Sequence, residues 1–174
     1  MDVGMLILRL VVGLTIWAHG AQKVVGWFGG PGIEGTTGMV RMLGFRPPRP
    51  MAWLSGLAEF AGGLLLVLGF ASPLGAAAVV GAMTAAVVTV HWRNGFFVTK
   101  GGYEFNLALA AGAAAIAFAG PGGISLDAAF GWHLAGLGWG FASSLVGVAT
   151  ALGVLASRRP QPEQASPGQR AEAA

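Results

Sequence analysis

The chain has 174 residues, of which 55% are hydrophobic and only 10% are charged, and its mean hydropathy is +0.68. A soluble domain carries about 25% charged residues, so this chain has too few to cover a water-facing surface, which favours a membrane protein. Cysteine is absent, which excludes thiol and disulfide chemistry by the chain itself. The net charge of +3 does not call for a nucleic-acid partner, because the cations lie near helix ends and in the tail.

Apolar runs long enough to cross a bilayer occur five times. A hydrocarbon core about 30 Å thick needs roughly 20 helical residues. The sequence therefore predicts an all-α fold, a polytopic transmembrane helix bundle. Its five predicted spans cover residues 3–25, 51–71, 74–92, 103–120 and 132–156.

Two segments lie outside these spans. The connection from Gly26 to Pro50 is long for a helical bundle, which indicates a functional or partly inserted element, and Thr37–Leu43 is predicted as a short interfacial helix. Residues 157–174 are polar and rich in proline, so we expect a disordered tail.

The loop charges predict the orientation of the bundle. With five spans, one side receives all the loop cations and the other carries only Asp2 and Asp127. Positively charged loops stay in the cytoplasm, so we expect the N-terminus outside and the C-terminus inside. The cations are Lys23, Arg41, Arg46, Arg49, Arg93, Lys100, Arg158, Arg159 and Arg170.

This topology also predicts a polar vestibule that faces the cytoplasm. The first span ends with His19 and Lys23 on one helical face, and Glu59 lies about eight residues, roughly 12 Å, into the second span. The third span ends at His91, and the fourth begins at Tyr103. Polar side chains at these ends should meet. The predicted set is His19, Lys23, Glu59, His91 and Glu104, with Tyr103 and Asn106 beside it.

Glu59 is the strongest single candidate. It lies on a stripe of small residues, so it should face the bundle, and an ionisable group at this depth is a functional-site hypothesis unless it is paired. Arg9, within the first span, is the predicted counter-charge. An Arg9–Glu59 pair that only fixes the helix register is an equally good interpretation.

The histidines allow three interpretations. His19 and His91 could carry protons in a relay with Glu59, since histidine titrates in a useful range. They could instead hydrogen-bond loop carbonyls at the interface. With Glu59 and Glu104 they would offer a metal-ligand set, but no HxxxH or ExxH spacing supports it, and we predict no metal site. Glu104 could simply complement the helix dipole in the first turn of its helix.

Small residues on the last span permit close helix contact. Gly136, Gly138 and Gly140 could pack within one chain or between protomers of a homo-oligomer.

The ordered motifs of residues 5–127 resemble the DoxX family of bacterial integral membrane proteins. These motifs are LRLVVG at Leu8–Gly13, HGAQK at His19–Lys23, LAEFAGGLLLVLG at Leu57–Gly69, VHWRNGFF at Val90–Phe97, GGYEFNLAL at Gly101–Leu109 and GPGGISLD at Gly120–Asp127. The recurring positions of the family match Arg9, His19, Lys23, Glu59, His91, Gly102, Tyr103, Glu104 and Asp127.

The resemblance implies a four-helix transmembrane domain over residues 1–127, in a bacterial inner membrane. Residues 128–156 then add a fifth helix, and residues 157–174 form a cytoplasmic tail. It also implies likeness to the DoxD-type subunit of thiosulfate:quinone oxidoreductase, with a quinone supplied by the membrane and with redox or sulfurtransferase partners. A non-catalytic membrane scaffold and a small proton-coupled transporter remain the alternatives.

Overall fold

The computed structural model describes residues 2–159, and the fold is all-α within that range. The helices are α1 (Asp2–Val24), α2 (Gly32–Met42), α3 (Pro48–Leu68), α4 (Ser72–Ala86), α5 (Glu104–Ala119), α6 (Leu126–Ala129) and α7 (Leu137–Ala156). The predicted class, a transmembrane helix bundle, is confirmed.

Four helices of the described chain are long and apolar enough to cross a membrane: α1, α3, α7 and the helix that continues α4 as far as Asn94. The remaining predicted span, the fourth in chain order, is α5, which has 16 residues and is about 24 Å long. It nevertheless crosses the bundle, because it begins beside the end of α4, and Gly122, just after it, lies against Asp2 and Met5 of α1.

Glycines set the helix spacing. A Cβ added to Gly63 of α3 would lie 2.5 Å from the backbone nitrogen of Trp17 in α1, so these helices approach to backbone contact. Gly81 of α4 and Gly147 of α7 meet in the same way. Transmembrane helices associate through such close packing, because lipid provides little hydrophobic drive between them. Gly140 packs on the Phe118 ring of the same chain, whereas Gly136 and Gly138 have nothing within 4 Å.

The last turns of the third span depart from regular helix. Val87–His91 form a π-helical turn, and Trp92–Asn94 form a 3₁₀ turn. Thr89 Oγ1 donates to the Ala85 carbonyl at 2.7 Å within this stretch, a side-chain bond that competes with the regular helical ladder. His91 is the last residue of this π-helical turn.

The two ends of the bundle carry different charge. We call the basic end the one at which α1, α4 and α7 finish and α3 and α5 begin. It holds every described lysine and arginine except Arg9, while Asp2 and Asp127 lie at the opposite, acidic end. The predicted grouping of cations on one side therefore holds in the described residues, and the cytoplasmic assignment of that side stays a prediction.

The connection between α1 and α3 is more ordered than expected. The interfacial helix predicted over residues 37–43 corresponds to the second half of the longer α2, which ends at Met42. Residues after α7 pair with the α2–α3 connection: Arg159 N donates to Gly44 O at 2.8 Å, and Arg158 Nε donates to Leu43 O at 2.5 Å. The disordered tail was predicted over residues 157–174; residues 157–159 are described and include these two contacts, and residues 160–174 lie outside the described range.

Candidate functional site

A cavity of about 600 Å³ lies near the basic end of the bundle. Its wall is mostly apolar, and α1 to α5 and α7 all contribute to it. The polar exceptions include five residues of the predicted vestibule set: His19, Lys23, Glu59, His91 and Asn106. Sites for small apolar molecules have this composition, with a few polar groups that orient the ligand.

Lys23 and Glu59 form an ion pair across α1 and α3. Lys23 Nζ lies 2.6 Å from Glu59 Oε1 and also donates to Ser55 Oγ at 3.3 Å. The glutamate side chain is 3% exposed and the lysine 21% exposed. Removing one partner of such a pair leaves an uncompensated buried charge, so each residue requires the other.

Two buried polar side chains of the wall have spare hydrogen-bonding capacity. Glu59 Oε2 is buried and has no hydrogen-bond partner among the described residues. Asn106 is 7% exposed. Its recorded partner in residues 2–159 is Met83 Sδ at 3.5 Å, and a thioether is a weak acceptor. Because buried polar groups are normally satisfied, these atoms indicate a place for a polar ligand group.

The two histidines of the cavity wall come from different helices, His19 from α1 and His91 from the end of the third span. His91 Nδ1 lies 2.7 Å from the carbonyl oxygen of Gly101. The ring of His19 faces Phe105, with ring centroids 6.0 Å apart. Both rings are thus at the same end of the bundle and line the same cavity, as the topology predicted. Their predicted proton-relay role stays a hypothesis.

The predicted Arg9–Glu59 pair is wrong. Arg9 lies about four turns from Lys23 along α1, roughly 21 Å, which no arginine side chain can bridge. Its guanidinium is instead buried against four main-chain carbonyl oxygens at the acidic end, with donor–acceptor distances of 2.6–2.9 Å. These carbonyls belong to Leu66, Val67, Pro121 and Ile124.

Asp127 performs the complementary task at the same end. Its carboxylate accepts hydrogen bonds from Ala71 N at 2.7 Å, from Ser72 N at 3.0 Å and from Ser72 Oγ at 2.8 Å. A helix leaves its first N–H groups without intrahelical partners, and Asp127 supplies one for α4. Arg9 donates hydrogen bonds to carbonyl oxygens in the last turn of α3. Both residues therefore hold the α3–α4 turn and lie outside the cavity.

Tyr103 and Glu104 also lie outside the cavity. The Tyr103 ring stacks on Trp92, with centroids 5.4 Å apart, and meets Phe96 edge-on. Glu104 Oε1 accepts from Val98 N at 2.9 Å. These contacts hold the loop between α4 and α5, which places Gly101 against His91. The vestibule prediction was wrong for Glu104 because its side chain turns back to the loop.

Metal binding finds no support in the described residues. Within residues 2–159, no group of three histidine or acidic side chains lies close enough together to hold an ion. The alternative ligand set of His19, His91, Glu59 and Glu104 is therefore not assembled.

Sequence reasoning missed part of the cavity wall. Met39 of α2 and Leu43 just after that helix line it as well, and so do Val146, Thr150 and Val154 of α7. The α7 residues recur at intervals of four and so share one helical face. Thr150, a polar residue in an apolar run, was the available signal. The fifth helix is thus part of the site rather than an addition beside it.

Comparison with known proteins provides two findings. The family model described as DoxX matches residues 4–92. A protein of Bacillus subtilis (strain 168), named "Putative oxidoreductase CatD", is 27% identical over 126 residues, which cover 72% of this chain and 86% of that protein. No solved structure matches the chain.

Proposed function

The chain belongs to the DoxX family, and from that premise we propose that this multi-pass membrane protein is a subunit of a quinone-linked oxidoreductase system. The observation that carries the proposal is the apolar cavity with the Lys23–Glu59 pair in its wall. The name of the Bacillus relative supports the redox class alone. The setting we propose is a bacterial inner membrane, with the basic end in the cytoplasm.

The volume and lining of the cavity support a quinone as its ligand. A quinone head is a flat ring with oxygen atoms at its rim, and its isoprenoid tail is apolar. The cavity offers apolar walls together with donors on Lys23 and Asn106. The buried, unpartnered Glu59 Oε2 further indicates that the site is built to meet a polar group.

The residues of the chain would bind and orient the head group. Lys23 Nζ, held by Glu59 and Ser55, has one N–H left to donate to a ligand oxygen. Asn106 has one amide hydrogen free of Met83. His91, fixed by Gly101, is available to hold a proton at its second ring nitrogen. Glu59 and Asn106 are buried in the largely apolar wall, so little water would compete with a ligand at these two side chains.

A bound quinone would supply the redox chemistry. The sequence has no GxGxxG after a strand and no CxxCH motif, so we propose that a partner protein delivers the electrons. The partner would dock at the basic end, and a redox protein or a sulfurtransferase fits the family resemblance.

A cavity-filling substitution tests the proposal. Ala85 lines the cavity, whereas Ala111, on α5, is exposed and does not line it. The protein, extracted into polymer nanodiscs with its native lipids, should retain quinone, measured by solvent extraction and mass spectrometry. Ala85→Phe should reduce quinone per mole of protein several-fold, and Ala111→Phe should not. Equal quinone in both variants, or none in repeated preparations of the wild type, would contradict the proposal.

A membrane scaffold is the second candidate, because the Arg9 and Asp127 networks hold helices together without any chemistry. It predicts that Ala85→Phe and Glu59→Gln leave cellular quinone-dependent respiration unchanged while a stoichiometric partner still co-purifies. The respiration assay therefore separates the two functions.

A further inference from the structure

The polar side chains of the cavity wall have more unpaired hydrogen-bond acceptors than unpaired donors. Glu59 uses Oε1 for Lys23, and its Oε2 has no donor among the described residues. A carboxylate accepts hydrogen bonds only. The terminal torsion of a glutamate is broad, so its oxygens can turn towards a donor that enters the cavity.

His91 adds a second unused acceptor. A main-chain carbonyl has no hydrogen to give, so the contact between His91 Nδ1 and Gly101 O requires the hydrogen on Nδ1. In the neutral ring Nε2 then carries the lone pair. The Gly101 contact therefore fixes the tautomer that presents an acceptor.

Asn106 and Lys23 complete the set. Within residues 2–159 no donor contacts the Asn106 amide oxygen, and one N–H bond of its amide is free of Met83. Lys23 keeps one N–H after Glu59 and Ser55. The residues that line the cavity thus carry three open acceptors (Glu59 Oε2, His91 Nε2 and Asn106 Oδ1) and two open donors.

Resting on the proposed function, we infer that the cavity prefers the reduced, hydroxyl-bearing hydroquinone over the quinone. Each hydroxyl of a hydroquinone donates to one acceptor and accepts from one donor. A quinone carbonyl can only accept hydrogen bonds, so the buried Glu59 Oε2 would still have no donor. Sites built to pair with a hydroxyl discriminate strongly against analogues that lack it, because their own polar groups are left unpaired.

Ligand binding to the purified full-length protein tests the preference. Equilibrium dialysis in detergent under anaerobic conditions would compare decyl-hydroquinone, the matching decyl-quinone and the 1,4-dimethyl ether of the hydroquinone. The ether keeps the shape but lacks both donors and is redox-inert. We expect the hydroquinone to bind about tenfold more tightly than either other ligand, the factor that one net hydrogen bond provides.

The Glu59→Gln variant should change this preference, because the amide supplies a donor where the carboxylate had only acceptors. We expect the affinity for the hydroquinone relative to that for the quinone to fall at least about tenfold in this variant. Glu34→Gln is the matched control, since Glu34 is exposed and paired with Arg49 outside the cavity. If Glu59→Gln does not fold, the three ligands measured on the wild-type protein still test the preference.

The outcomes separate the two proposals. If no ligand of the series binds, the proposed function fails. If the quinone or the dimethyl ether binds as tightly as the hydroquinone, the quinone-linked function stands and the inferred preference is wrong.

Discussion

Lys23 Nζ lies 2.6 Å from Glu59 Oε1, although the two residues are on different helices. The pair is the only ion pair in the described residues that lines the cavity, because the second one, Arg49–Glu34, lies on the surface. The same contact therefore joins α1 to α3 and contributes an ion pair to the cavity wall.

Breaking that pair from one side should destabilise the protein more than removing it entirely. Lys23→Met leaves the Glu59 charge buried and unpaired, which costs about 3 kcal/mol. In the Lys23→Met, Glu59→Leu double variant the charge is gone, so we expect most of the stability to return. Thermal unfolding in detergent measures both. A double variant as unstable as Lys23→Met would show that the charge is not the cause.

Arg9 should matter for stability and not for ligand binding. Arg9→Met removes the donors of four main-chain carbonyls, and each buried group left unsatisfied costs about 1–3 kcal/mol. The melting temperature should fall sharply, while quinone per folded molecule should stay at the wild-type level. Loss of quinone from the folded fraction would place Arg9 in the site after all.

Asp127 should act as the N-terminal cap of α4. Asp127→Ala leaves Ala71 N and Ser72 N without their acceptor, and loss of a cap costs about 1 kcal/mol. Hydrogen exchange at the first turn of α4 should accelerate, with little change at the end of that helix. Asp127→Asn keeps an acceptor oxygen and should show a smaller effect.

The close packing of α7 on α4 can be tested with two glycine substitutions on α7. A Cβ at Gly147 would lie 2.6 Å from the Ala77 carbonyl oxygen, whereas Gly153 has nothing within 4 Å. Gly147→Leu should force the helices apart and lower the melting temperature. Gly153→Leu, the control on α7, should leave it unchanged. Equal melting temperatures for the two variants would contradict the packing described here.

Single cysteines can test the predicted orientation, since the chain has none of its own. Lys100 and Ala129 are exposed at the basic and acidic ends. A membrane-impermeant maleimide should label A129C in cells whose periplasm is accessible, and K100C only after the inner membrane is opened. The reverse labelling pattern would show that the predicted orientation is wrong.

Properties that depend on local composition were predictable from the sequence. Few charges, apolar runs of helical length and the cations between them are read directly along the chain, and bilayer thickness converts them into spans. The helices and the grouping of the cations at one end followed from these features. The burial of Glu59 was also predictable, because the small residues around it recur at helical spacing.

The partners of the buried polar groups were decided by the tertiary structure. Glu59 pairs with Lys23 rather than Arg9, the Glu104 side chain contacts the loop, and α7 lines the cavity. These outcomes depend on how far each helix is shifted and rotated against its neighbours. Glycine contacts such as Gly63 on Trp17 set that register, and sequence spacing describes one helix at a time. Composition therefore determined that this chain crosses a membrane, and helix packing determined which of its charges meet.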